Sequence, residues 1–216
     1  MSLPFRTDAD VDAAAPIVAA HLAAGNVLAY PTETVYGLGS SADAAALDRL
    51  ANLKGRPAGK PFLLLVDGIA MLEAAGLALG PNARVLAREF WPGPLTRVLR
   101  GGEGQLPDRL RGPEGGIAVR WTSHRGIVRL LRYLGHPLTS TSANHPGRPA
   151  APGPEAIEQY FLDPIAAGEL LVLDGGTLGN VPPSTLVDCT GSVARLVREG
   201  AIPRQELRRR AGSMAP

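Results

Sequence analysis

The sequence predicts an α/β protein with three layers, in which helices cover a twisted sheet of mixed parallel and antiparallel strands. Two observations lead to this fold class. Short apolar segments typical of strands alternate, mostly singly, with segments that repeat apolar residues at helical spacing. Three late strand segments follow one another through short connections, which favours some antiparallel pairing.

The first half of the chain is predicted to begin with a helix at 12–24, which ends at Gly25 and carries Pro16 in its first turn. Apolar residues recur at helical spacing within 42–53, which predicts a second helix. The other elements predicted for this half are strands at 27–30, 62–66 and 95–99 and helices at 69–75 and 82–90.

In the second half, Ser123 is a candidate cap for a helix that ends at Gly135. Further helices are predicted at 155–161 and after Pro203, and strands at 117–121, 138–141, 170–174, 185–189 and 194–198. Because no long linker or repeat interrupts these elements, we expect one domain over 1–216, with a core at about 12–202 and a basic tail at 203–216.

Composition excludes several classes of protein. The 216 residues are 45% hydrophobic and 19% charged, which is typical of a globular protein with a core. The single cysteine, Cys189, excludes an intrachain disulfide, and the four scattered histidines predict no metal site. No apolar run approaches the roughly 20 residues of a membrane span, and 1–12 lacks a signal-peptide core. We therefore expect a cytoplasmic protein that does not bind a membrane.

The segment 54–61, Lys-Gly-Arg-Pro-Ala-Gly-Lys-Pro, carries the strongest functional signal. Two glycines and two prolines surround Lys54, Arg56 and Lys60 directly before an apolar strand. Because proline fixes φ and glycine permits positive φ, the path of this loop is specified. The arginine fork and the lysine point charges suit a polyphosphate. The segment predicts a nucleoside triphosphate site, with a solvated turn as the alternative.

Polar loops at strand ends add to this signal at 30–39, 139–144 and 182–185, because ligands of α/β sheets collect there. Familiar signatures are absent from the sequence. The segment 55–60 departs from a Walker A loop in spacing and has Pro61 where a magnesium-binding hydroxyl belongs. There is no G-x-G-x-x-G and no G-x-S-x-G. The chain therefore lacks the main motif of three protein classes: P-loop NTPases, Rossmann dehydrogenases and α/β-hydrolases.

Five motifs in order resemble the YrdC family of threonylcarbamoyl-AMP synthases, in its short single-domain form. They are Tyr-Pro-Thr-Glu-Thr-Val-Tyr-Gly-Leu-Gly at 30–39, Lys-x-Arg-Pro at 54–57, Trp-Pro-Gly-Pro-Leu-Thr at 91–96, Ala-Val-Arg at 118–120 and Ser-Ala-Asn at 142–144. The resemblance runs from about 24 to 202. Each motif is weak alone, and a chance match would need all five to coincide. The resemblance implies a twisted mixed sheet around a large positive cavity.

The resemblance implies that L-threonine, bicarbonate or CO₂ and ATP condense into threonylcarbamoyl-adenylate and pyrophosphate. This product would serve the N6-threonylcarbamoyl modification of adenosine 37 in tRNA. Mg²⁺ is expected to arrive with ATP, without a dedicated protein site. Implied partners are downstream threonylcarbamoyl-transferase proteins, with tRNA or double-stranded RNA as candidates.

Carried over residue by residue, the resemblance implies two sets of site residues. Catalytic and phosphate-binding roles fall on Lys54, Arg56, Ser142 and Asn144, and Lys60 and Arg198 are added at ATP. The threonine substrate is implied to lie against Thr34, Arg120, Ser140 and Ser184. Arg120 would form a two-pronged pair with its carboxylate.

Two other functions stay open at this point. The basic segment 204–210 allows a non-catalytic RNA-binding module. A YrdC-like paralogue that uses ATP for another carbamoyl or acyl transfer would share the fold and part of the motifs. Simpler interpretations also remain for single residues: a surface ion pair for Arg120, a structural carboxylate for Glu33 and a packing anchor for Trp91.

Overall fold

Ten strands form one mixed sheet in the computed structural model, which describes residues 2–57 and 59–211. The strands are β1 (Ser2–Pro4), β2 (Val27–Tyr30), β3 (Gly37–Gly39), β4 (Leu63–Val66), β5 (Leu95–Leu99), β6 (Ile117–Trp121), β7 (Leu138–Ser142), β8 (Leu170–Asp174), β9 (Thr185–Asp188) and β10 (Arg195–Arg198). Their order across the sheet is β1-β8-β2-β3-β7-β4-β6-β5-β9-β10. Parallel pairs such as β4 with β6 alternate with antiparallel pairs such as β3 with β7, so the sheet is mixed as predicted.

Helices cover both faces of this sheet. They are α1 (Asp8–Ala23), α2 (Ala44–Lys54), α3 (Ile69–Ala74), α4 (Pro81–Phe90), α5 (Arg125–Leu134), α6 (Pro154–Tyr160), α7 (Leu162–Ala166) and α8 (Arg204–Ala211). Alternate residues of β2 point to opposite faces: Leu28 and Tyr30 join the core under α1 and α5, whereas Val27 and Ala29 join the core that includes α2 and α4. The two cores give the three layers that the sequence predicts.

Helix α1 begins at Asp8, so the predicted start at residue 12 is wrong. The Thr7 hydroxyl accepts a hydrogen bond from the Asp10 amide at 3.1 Å, and the Asp10 carboxylate accepts one from the Thr7 amide at 2.8 Å. This reciprocal capping box fixes the start one turn earlier than the apolar pattern indicates. Pro16 consequently lies inside the helix and not in its first turn.

Helix α5 is capped by His124, and the prediction of Ser123 as the cap is wrong. The His124 imidazole Nδ1 accepts a hydrogen bond from the Ile127 amide at 3.3 Å. Ser123 lies one residue earlier, where its amide donates to the Glu33 carboxylate at 3.1 Å. The chain therefore enters α5 while attached to the 30–39 loop.

Three short elements were not predicted from the sequence: β1, α7 and β3. Strand β3 lies inside the 30–39 motif. Strand β3 fits between β2 and β7 because two of its three residues, Gly37 and Gly39, are glycines. A Cβ on Gly39 would lie 2.0 Å from the Thr139 carbonyl oxygen, so only glycine allows this approach. The motif therefore specifies a strand as well as a loop.

The expected antiparallel pairing of the late strands holds for β9 with β10 but not for β8. Strand β8 runs parallel to β1 and β2 at the far end of the sheet. The chain then crosses from β8 to β9, which pairs in parallel with β5. No helix in the described ranges is both long and apolar enough to cross a membrane.

Candidate active site

A cavity of about 540 Å³ opens where the 30–39 loop, the 54–61 loop and strands β5, β6, β7, β9 and β10 meet. This volume lies within the range of about 300–1,000 Å³ that is usual for small-ligand pockets. Seven of the ten predicted site residues line it: Thr34, Arg56, Arg120, Ser140, Ser142, Ser184 and Arg198. The structure thus brings together side chains from loops that are far apart in the chain.

Strand β7 supplies one wall because its side chains alternate. Ser140 and Ser142 are two residues apart, so both point to the cavity side of the strand. Gly37 of β3 pairs with Ser142 and also lines the cavity. A Cβ on Gly37 would lie only 3.1 Å from the Ser140 hydroxyl, so glycine keeps this wall open.

Lys54 supports the wall from behind and does not itself line the cavity. It ends α2 with only 5% of its surface exposed. Its ammonium group donates to the Ser142 carbonyl at 2.6 Å and to the Asn144 carbonyl and side-chain oxygens at 2.5 Å each. Burial, together with the smaller effect of the nearby charge of Arg56, lowers the pKa of Lys54 to about 8.

Ser142 and Asn144 are fixed to each other. The Ser142 hydroxyl donates to the Asn144 side-chain oxygen at 2.6 Å, and the Asn144 amide group donates to the Arg148 carbonyl. Asn144 is outside the cavity lining, so of this pair only Ser142 reaches the cavity.

Arg56 organises its own loop while it faces the cavity. Its guanidinium donates to the Pro61 carbonyl at 2.6 Å, the Thr141 hydroxyl at 2.8 Å and the Lys60 carbonyl at 3.0 Å, and it lies 4.7 Å from the centre of the Phe62 ring. All of these partners are neutral. Lys60 contributes only its backbone here, since its side chain is exposed and does not line the cavity.

Arg120 is buried, so the interpretation of a surface ion pair is wrong. Only 4% of Arg120 is exposed, and its Nη2 lies 2.7 Å from a carboxylate oxygen of Glu33. Nη1 donates to the Thr34 hydroxyl at 3.1 Å, and Nε donates to the Gly93 carbonyl at 3.3 Å. Two of the three guanidinium nitrogens are therefore turned to the wall, and the arrangement does not offer the expected two-pronged face.

Glu33 is held as a carboxylate at the back of this wall. It accepts hydrogen bonds from the Thr122 hydroxyl and the Ser123 amide in addition to its pair with Arg120. Burial by itself raises the pKa of Glu33, but the charge of Arg120 and these hydrogen bonds outweigh it and leave the pKa below its usual value. Glu33 is thus ionised at neutral pH.

The opposite wall is built from hydroxyl groups and one arginine. The Ser184 and Thr96 hydroxyls lie 2.8 Å apart, and Arg198 donates to the Ser184 carbonyl at 2.8 Å. Next to them, Arg195 pairs with Asp188 at 3.0 Å and with Glu114 at 3.4 Å.

The uncompensated charge of the cavity is positive. Arg195 and Arg120 have carboxylate partners, whereas within the described ranges no carboxylate pairs with Arg56 or Arg198. These two cations are the groups best placed to hold an anion in the cavity. Within the same ranges, no cluster of three or more histidine, cysteine, aspartate or glutamate side chains is arranged for a metal ion.

A sequence model of the Sua5/YciO/YrdC family, described as telomere recombination, matches residues 20–200. The chain belongs to this family. The predicted family and fold class are confirmed, and so is the expectation of an enzyme.

Individual members of the family agree with this result. A curated threonylcarbamoyl-AMP synthase of Thiobacillus denitrificans is 41% identical over 186 residues, which cover 85% of this chain and 96% of that protein. P. abyssi Sua5, in a structure complexed with L-threonine, superposes with a TM-score of 0.87 at 30% identity over 99% of this chain. This chain spans only 62% of the Sua5 chain. E. coli YciO gives a TM-score of 0.76 at 28% identity, over 93% of this chain and 96% of that one.

Several cavity residues were not singled out from the sequence. Thr96 ends the 91–96 motif and lies two residues from Val98, which also lines the cavity from β5. Thr141 lies between Ser140 and Ser142 on β7, so the alternation of side chains does not predict that it lines the cavity as well. Glu114, Asp188 and Arg195 carry no such signal, because their grouping depends on how the 112–116 segment folds over β9 and β10.

Proposed function

We propose that this chain is a threonylcarbamoyl-AMP synthase, which converts L-threonine, bicarbonate or CO₂ and ATP into threonylcarbamoyl-adenylate and pyrophosphate. The product would supply the N6-threonylcarbamoyl modification of adenosine 37 in tRNA. The observation that carries the proposal is one cavity lined by two arginines without carboxylate partners, Arg56 and Arg198, together with the buried Arg120 and several hydroxyl groups. It is supported by the near-complete overlap with a curated synthase.

The uncompensated arginines fit the demands of the phosphate chemistry. An oxygen of N-carboxythreonine would attack the α-phosphorus of ATP, and the bond to the departing pyrophosphate would break. Negative charge grows on the leaving group, and fixed positive groups stabilise it. Arg56, which donates to Thr141 of β7, and Arg198 on the opposite wall would meet this charge, with the Ser142 hydroxyl on the side of Arg56. Lys54 and Asn144 would act from behind by holding Ser142.

Threonine would lie in the part of the cavity that Arg120 lines. Its carboxylate would accept a hydrogen bond from Nη1 of Arg120 next to the Thr34 hydroxyl, since these two groups already lie 3.1 Å apart. Ser140 and Ser184 would complete its surroundings with hydroxyl groups. No protein nucleophile is needed, so catalysis rests on positioning the reactants and stabilising the leaving phosphates.

Magnesium would enter as a complex with ATP. Mg²⁺ usually keeps several waters and binds phosphate oxygens, so it does not need a protein cage. The side chain of Lys60 is exposed and lies outside the cavity lining. We propose that it contacts ATP once the nucleotide is bound. We also propose that a downstream threonylcarbamoyl-transferase protein receives the product. Transfer RNA or double-stranded RNA is a candidate ligand of this chain, and the cytoplasm is its proposed location.

The test is the release of pyrophosphate from MgATP in bicarbonate buffer, with L-threonine, with L-serine and with no amino acid. We expect release that requires threonine, with serine a poorer substrate. Well-folded protein that binds ATP but shows no threonine-dependent release would contradict the proposal.

The alternative that the sequence leaves open is a paralogue that uses ATP for another carbamoyl or acyl transfer. It predicts ATP binding or turnover that ignores threonine. A non-catalytic RNA-binding module instead predicts salt-dependent RNA binding that persists in the double variant Lys54→Ala, Arg56→Ala.

A further inference from the structure

Glu33 stands next to the proposed threonine site without being part of its lining. Thr32, Thr34 and Val35 face the cavity, whereas the carboxylate of Glu33 points away from it toward the start of α5. It nevertheless pairs with Arg120, which does line the cavity. Glu33 therefore reaches the site through Arg120.

The guanidinium of Arg120 is oriented by this pair. Its Nη2 is buried against Glu33 and makes no hydrogen bond among the described residues, so its contact with Glu33 is an ion pair. Nε is directed to the Gly93 carbonyl. A guanidinium is planar, so fixing these two nitrogens also fixes the direction of Nη1. Nη1 carries two N–H groups, and Thr34 accepts one of them.

We propose that Glu33 is a positioning residue that fixes the guanidinium of Arg120 so that Nη1 is presented to the carboxylate of an amino-acid substrate. This inference rests on the proposed function, which places the carboxylate of threonine against Arg120. It adds to that function a residue that never touches the substrate.

The opposite possibility is that Glu33 competes with the substrate for Arg120. A competing carboxylate must be able to move aside, but Glu33 is anchored independently of Arg120. The Thr122 hydroxyl and the Ser123 amide both donate to it, and Thr122 is fully buried. Moving the carboxylate would break both hydrogen bonds and leave the buried Thr122 hydroxyl and the Ser123 amide without their acceptor, which is costly. The geometry therefore favours a permanent support.

The decisive variant is Glu33→Gln, which keeps the shape of the side chain and removes its charge. In the pyrophosphate assay we expect KM for threonine to rise about tenfold or more, equivalent to about 1.4 kcal/mol, with KM for ATP changed less than twofold. The matched control is Asp12→Asn. It removes an exposed carboxylate that pairs with Arg129 at 2.5 Å outside the cavity, and both KM values should stay unchanged.

Thr122→Val is the second variant, in case Glu33→Gln does not fold. Valine keeps the volume of Thr122 while it removes the hydroxyl that donates to Glu33. We expect a smaller, severalfold rise in KM for threonine only. If the wild type is active and the folded variants show an unchanged or lower KM for threonine, the role of Glu33 is overturned and the proposed function is not. A wild type without threonine-dependent release would contradict the proposed function itself.

A double-variant comparison shows whether Glu33 acts through Arg120. Arg120→Ala should raise KM for threonine, and adding Glu33→Gln should then have little further effect, because the residue that Glu33 orients is already gone. Additive effects of the two changes would show that Glu33 has a role separate from Arg120 and would overturn the assignment.

Discussion

At the scale of single residues, the two cations of the Lys-x-Arg motif have different surroundings. The Lys54 ammonium is surrounded by oxygens of Ser142 and Asn144, whereas Arg56 faces the cavity and has only neutral partners. The sequence predicts that both cations belong to the site. It does not predict their different surroundings, because these depend on where the 139–144 segment lies after folding. We therefore expect Lys54 to act on the wall and Arg56 on the ligand.

Arg56→Ala should reduce kcat by about a hundredfold or more, because it removes a fixed donor aimed at developing negative charge. The melting temperature should fall only slightly, since the side chain is part of a loop and not of a core. Activity and thermal melting of the same preparation check this. A large loss of stability with normal activity per folded molecule would contradict it.

Ser142→Ala should be milder. It removes the hydroxyl that donates to Asn144 at 2.6 Å and that would turn to donate to a phosphate of bound ATP, a change of about 1.5–3 kcal/mol for a hydrogen bond to a charged group. We expect kcat/KM for ATP to fall by about ten- to a hundredfold. A loss as large as that of Arg56→Ala would mean that Ser142 does more than donate one hydrogen bond.

The pKa of Lys54 predicts a pH dependence of stability. Its ordinary value is 10.5 and the folded value is about 8, so between these values the unfolded chain binds more protons. The free energy of unfolding should therefore rise with pH across this window, relative to Lys54→Met. Denaturant titrations of both proteins at pH 7, 8, 9 and 10 measure the difference. A difference that stays constant or falls with pH would contradict this value.

At the scale of elements, the sequence predicts most helices and strands but misplaces their ends where a side chain decides them. The strands at 95–99 and 117–121 match because a segment rich in glycine or proline ends directly before each of them. The start of α1 was missed because polar residues, Thr7 and Asp10, fix it outside the apolar pattern. Strand β3 was missed because three residues are too few for a period-two pattern, and its neighbours hold it in place.

Thr7→Ala tests the cap of α1. We expect a loss of about 1 kcal/mol and a melting temperature lower by about 2–4 °C, because one of the reciprocal hydrogen bonds disappears. Thr7→Ser keeps the hydroxyl and should melt like the wild type. Activity per folded molecule should not change in either variant, since the cap is remote from the cavity lining. An unchanged melting temperature of Thr7→Ala would contradict the role of the cap.

At the scale of the whole molecule, the fold class followed from the alternation of elements, but the strand order did not. Strands β8 and β9 are neighbours in the sequence and lie near opposite ends of the sheet, an arrangement that local patterns do not encode. Seven of the ten site residues nevertheless line one cavity, because motifs at strand ends converge once the sheet forms. From the sequence, Glu33 is interpreted as a structural carboxylate, because its pair with Arg120 and its contact with the start of α5 appear only in three dimensions.

The central claim is that one cavity joins threonine, a carboxyl group and the adenylate of ATP. The most direct measurement is the mass of the nucleotide product formed from MgATP, L-threonine and ¹³C-bicarbonate. We predict a threonylcarbamoyl-adenylate that carries one ¹³C and appears together with pyrophosphate. An AMP or ADP product without threonine and ¹³C, from protein that is folded and binds ATP, would contradict the account.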